Sequence, residues 1–139
     1  MKSKYYNQFT KSELAIGYAY MLSELEALPI HHEIRVLFSD AWEDFKQGKF
    51  SYDGATFVKE RSKSTIFEVC AFIHDWRNSN GYVGKKIDKE MFSIMIALNY
   101  SQELIFERYL LTRLTFINVI RHIILGTYKQ QLPINIYKL

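Results

Sequence analysis

The sequence predicts an all-α protein of about five helices, and three observations carry that prediction. Apolar residues recur at three- and four-residue steps over several separate stretches. Glycine and proline are scarce, six and two in 139 residues, too few for a turn-rich β architecture. Hydrophobic residues make up 48% and aromatics 16%, enough to fill one core in a single domain over residues 1–139.

The first helix is expected from Lys11 to about Leu28. Thr10 and Glu13 make a capping-box pair, in which hydroxyl and carboxylate satisfy backbone amides that have no partner inside the helix. Leu14, Tyr18, Met21, Leu25 and Leu28 form its stripe, and Pro29 ends it. The second helix is expected over 32–47, with Ile34, Leu37, Phe38, Ala41, Trp42 and Phe45 inward and Gly48 as its stop. Residues 49–64 lose the helical period and read as an ordered loop.

The third helix is expected to start near Ser64 or Thr65 and to run through His74, with Ile66, Val69, Cys70, Ile73 and Trp76 as its inner stripe. His74 then sits at the core edge, one turn from Cys70, and Asp75 points further out. An Asn-, Ser- and Gly-rich turn leads to a fourth helix with Ile87, Met91, Ile94, Met95 and Leu98 inward. Asp88 falls on the flank shared with Phe92 and Met95. A fifth helix, 101–125, is apolar around most of its circumference, so it is central or docked on a partner. Residues 129–139 read as a tail whose apolar positions suit another chain. The aromatics of the first four helices follow helical stripes, while Tyr5 and Tyr6 precede the first helix and are expected at the surface.

The net charge of +3 is concentrated at the C-terminal end, where residues 101–139 hold five Lys or Arg against two Asp or Glu. Such a surface suits an anionic partner, with an ordinary solvated face as the plainer reading. There is no P-loop, dinucleotide fingerprint, zinc spacing or specific nucleic-acid signal. The single cysteine excludes an internal disulfide. Neither a secretory signal nor an apolar run of about 20 residues is visible.

The chemistry-bearing residues gather between 52 and 98. A short connection makes the third and fourth helices antiparallel neighbours, which can bring Asp88 to His74. A carboxylate on one imidazole nitrogen sets the tautomer and leaves the other nitrogen to take a proton from water. Asp75 and the Tyr52–Thr56 segment, with its flexible Gly54, could supply oxygen ligands to a hard cation such as Ca²⁺. The plainer readings are a hydrogen-bonded histidine at a core edge and an aspartate in the first turn of a helix. Two sharper alternatives rank low. The order His31 or His32, His74-Asp75, Asp88 follows the HD phosphohydrolases but with the last aspartate only 13 residues on. Cys70 as a nucleophile is out of place on a core stripe.

The run Glu68-Val-Cys-Ala-Phe-Ile-His74-Asp75 resembles the D-x-x-A-x-x-H-D helix of phospholipase A2, closest to the disulfide-free domain of parvovirus capsid proteins. Ile87-Asp88-Lys89-Glu90-Met91 is similar to that family's A-D-x-x-L segment. Asp53-Gly54-Ala55-Thr56, then His74-Asp75-Trp76, then Asp88 also resembles a group of small phage and bacterial proteins that share these motifs. The resemblance covers 52–98. It implies a phospholipase A2-like helix pair in a phage or mobile-element protein. It also implies His74 as general base, Asp88 as its orienting partner, and Ca²⁺ held by Asp75 and by carbonyls of Tyr52, Gly54 and Thr56. Its partner would be a phospholipid membrane surface. Glu68 stands in place of the usual aspartate and Thr56 in place of the second loop glycine. The expected tyrosine after the His-Asp pair falls at Asn78 or is missing. The alternative is a non-catalytic virion protein that keeps the helix pair as scaffold and docks on other virion proteins through 101–125 and the tail.

Overall fold

The computed structural model describes residues 3–26, 32–52, 67–103, 105–106 and 123–126. The fold is mostly helical. A short 3-10 turn, Tyr6–Gln8, precedes α1 (Lys11–Glu26), α2 (His32–Lys46), α3 (Val69–Ser79) and α4 (Lys85–Ala97). Residues 102–103, 105–106 and 123–125 are also helical. The rest of the expected helix 101–125, the tail, Gly54, Thr56, Ile66 and His31 lie outside the described residues.

The start of α1 is set by the expected capping box. The Glu13 N–H donates to Thr10 Oγ1 at 3.0 Å, and the Thr10 N–H donates to Glu13 Oε1 at 2.9 Å. Met21 and Leu25 are buried, while Leu14 and Tyr18 pack against the core from its edge. Gly17 is buried too, because the Phe67 ring lies against it where a side chain would otherwise stand. Along α2 the buried residues are Ile34, Leu37, Phe38, Ala41 and Phe45. Gly48 follows with φ +74°, a left-handed turn that glycine adopts at little cost.

Aromatic rings dominate the centre. Phe45, Phe50, Tyr52 and Phe72 meet at centroid distances of 5.2–5.4 Å, and Phe67 stacks on Tyr52 at 5.3 Å. Tyr6 is only partly exposed, its ring meeting Phe45 edge-on at 5.5 Å, whereas Tyr5 is exposed. An antiparallel bridge between Lys4 and Tyr52, with N–O distances of 2.9 and 2.8 Å, ties the N-terminal segment to the strand-like residues after α2.

α3 begins later than the sequence suggests, at Val69 rather than near Ser64 or Thr65. Glu68 is extended, with φ −132° and ψ 133°. The reason is tertiary. The Glu68 N–H donates to the Tyr52 hydroxyl at 3.1 Å, and the Val69 N–H donates to the Glu24 carboxylate at 3.1 Å. These partners, 16 and 45 residues away, satisfy amides that an earlier helical turn would have left within the helix. Phe67 is thereby free to leave the helical path and pack against Gly17, Phe9 and Tyr52.

α3 packs against both α2 and α4. Its turn into α4 uses Gly81 and Gly84, with φ of +87° and +105°. The buried face of α4 is Ile87, Asp88, Glu90, Met91, Ile94 and Met95. Four of these were expected as the apolar stripe. Asp88 was expected on an inward flank, and Glu90 was not foreseen. No helix among the described residues is long and apolar enough to cross a membrane.

Candidate functional site

His74 lies in the second turn of α3, beside buried Ile73, and Asp88 lies in the first turn of α4. The short glycine-bearing connection folds α4 back along α3, and His74 Nε2 meets Asp88 Oδ1 at 3.1 Å. Both side chains are mostly enclosed, 12% and 10% exposed, so little water screens the pair. The other ring nitrogen has a partner as well: Asn78 Nδ2, one turn further along α3, lies 3.3 Å from His74 Nδ1.

Asp75 is partly buried. Its charge reaches the Tyr52 phenol. Burial pushes that phenol well above its ordinary pKa, the hydrogen bond from the Glu68 N–H opposes the shift, and the Asp75 carboxylate adds to it. Asp75 and Tyr52 thus stand in one electrostatic neighbourhood. The Tyr52 carbonyl accepts the Lys4 N–H. Gly54 and Thr56 lie outside the described residues. Among the described residues no group of three or more His, Cys, Asp or Glu side chains is placed to hold a metal ion.

The sequence reading missed a second polar link beside the first. Arg77 donates from Nε and Nη2 to the two oxygens of Glu90, at 3.0 and 3.1 Å, with Trp76 and Tyr82 rings 5.0 and 5.7 Å from its guanidinium. A signal for it existed. Arg77 follows Ile73 by four residues, and Glu90 sits between Ile87 and Ile94, so both fall on inner stripes.

At the other end of α3, Glu24 joins the start of that helix to a distant side chain. Besides the Val69 N–H, its carboxylate accepts the Tyr100 hydroxyl. Cys70 Sγ lies 3.9 Å from Glu68 Oε2, so the thiol meets a carboxylate there. His32 is exposed at the start of α2.

No family model matches the chain, and neither a curated protein nor a solved structure matches it.

Proposed function

We propose that the α3–α4 pair is the site of a phospholipase A2-like lipid esterase, of phage or mobile-element type, acting on a phospholipid surface. One observation carries this reading: the enclosed His74–Asp88 hydrogen bond, 3.1 Å across the two helices, formed by the two residues that the resemblance puts in these roles. Asp88 holds the ring through Nε2. His74 Nδ1 takes a proton from water as its oxygen attacks the ester carbonyl. When the tetrahedral intermediate collapses, the C–O bond breaks and the proton on Nδ1 passes to the departing alcohol. Asp75 and the Tyr52 carbonyl would hold Ca²⁺, which when bound supplies positive charge for the developing oxyanion.

A second reading is favoured by a different observation. Phe106, Ile123, Ile124 and Leu125 are exposed, as suits a non-catalytic virion protein docking through its C-terminal region.

The deciding experiment is release of fatty acid from anionic phospholipid vesicles, with Ca²⁺ and with excess chelator, by the protein and by His74→Gln. Release that needs both Ca²⁺ and His74 supports the esterase. No release in any arm turns the reading to the docking protein.

A further inference from the structure

Asn78 meets the histidine from the side opposite the aspartate. A carboxylate can only accept, so Asp88 at 3.1 Å requires the hydrogen of a neutral His74 ring to sit on Nε2. Nδ1 then presents a lone pair. The group facing it, Asn78 Nδ2 at 3.3 Å, is an amide nitrogen that can only donate. The two partners therefore demand the same tautomer from opposite edges of the ring. Their placement is helical: Asn78 is four residues after His74 and lies on the same face of α3. The amide also stands where water would have to stand in order to give its proton to Nδ1.

We propose that Asn78 is a positioning residue of this site, which holds neutral His74 as the Nε2–H tautomer and covers the Nδ1 lone pair until the amide turns away. The inference deepens the esterase reading, on which its meaning for turnover rests. It makes the unliganded site a closed one: the base exists, in the right tautomer, but its lone pair is engaged. An entering substrate must displace the amide before a water can occupy that position.

The test needs neither lipid nor Ca²⁺. Ring nitrogen NMR of ¹⁵N-labelled protein, at a pH where His74 is neutral, should show hydrogen on Nε2 and none on Nδ1. Asn78→Leu keeps the volume and removes the donor. In it the Nδ1 resonance should move toward that of a free lone pair while the helical circular dichroism stays unchanged. A hydrogen on Nδ1 in the unsubstituted protein overturns the proposal, whatever the variants do. So does an Nδ1 resonance unmoved by Asn78→Leu, which would leave Asn78 a packing residue. Acylation of imidazole by diethyl pyrocarbonate gives a second measure, with exposed His32 as the reference in the same chain. Asn78→Ala should raise the His74 rate several-fold relative to His32, and equal ratios would count against the cover. A protein that hydrolyses no lipid yet shows these ring signals loses the esterase reading alone. One that hydrolyses lipid with a ring indifferent to Asn78 loses the Asn78 assignment alone.

Discussion

Arg77 and Glu90 join α3 to α4 by two parallel hydrogen bonds, with both side chains almost completely buried at 3% and 1% exposure. The His74–Asp88 bond lies beside it on the same two helices, so the ion pair sets the register in which the candidate site forms. Removing one partner leaves a buried charge without compensation. Glu90→Gln or Arg77→Met should each cost about 3–5 kcal/mol in denaturant unfolding. Arg77→Met with Glu90→Leu should recover most of that loss, because an apolar pair of similar volume has no desolvation cost. Single variants that lose less than about 1 kcal/mol, the range of exposed pairs, would show that the pair is solvated.

The approach of Phe67 to Gly17 gives a test of packing. A methyl group at position 17 would stand 2.5 Å from the ring, well inside van der Waals contact. Alanine in place of a helical glycine should stabilise by about 0.5–1 kcal/mol, but overpacking costs about 1–3 kcal/mol, so the clash wins. Gly17→Ala should lower the melting temperature. The same change in a Phe67→Leu background should be neutral or stabilising, and a loss of equal size in both backgrounds would show that the ring is not the obstacle.

The two carboxylates of the candidate site should separate by what they do. In the proposed esterase, Asp88→Asn would remove the charge that steadies the imidazolium, and general acid–base assistance is worth about 10²–10⁴-fold. Vesicle hydrolysis should fall by a factor in that range, with the helical circular dichroism intact. Unchanged hydrolysis would remove Asp88 from the reaction.

Asp75 is tested by linkage. An ion that binds only the folded chain adds RT ln(1 + [L]/Kd), about 2.7 kcal/mol at a hundredfold excess over Kd. Ca²⁺ should therefore raise the melting temperature of the protein and leave that of Asp75→Asn where it was. A shift of the same size in both would place the ion elsewhere.

The capping box predicts a pH dependence. The Thr10 N–H, and after it the Thr10 hydroxyl, hold the Glu13 carboxyl below its ordinary value of 4.5. A carboxyl depressed in the folded state contributes stability that is present above 4.5 and lost as pH falls through the lower folded value. Glu13→Gln should flatten the stability profile below that point, and an identical acid limb in the variant would remove Glu13 from the acid response.

Much of the fold was legible because helix periodicity and caps are local. The Thr10–Glu13 pair, the α2 stripe and the apolar face of α4 depend on residues three and four apart, which a linear reading sees directly. The start of α3 was not legible, because Tyr52 and Glu24, distant in the chain, take the amides that would have signalled an earlier turn. Glu90 was passed over because a carboxylate on an inner stripe makes sense only beside the arginine it faces.

The sequence by itself determined the helical class, the spans of α1 and α2, and the two residues whose side chains could meet as a His–Asp pair. Spacing along one chain carries that much, since helix geometry converts it into faces. Only the tertiary structure decided that α3 and α4 lie in the register that joins His74 Nε2 to Asp88, with Asn78 on the other nitrogen. A hydrogen bond needs its two atoms within about 3 Å. That condition is met by the packing of two helices and by the buried Arg77–Glu90 pair between them, and not by any one of them alone.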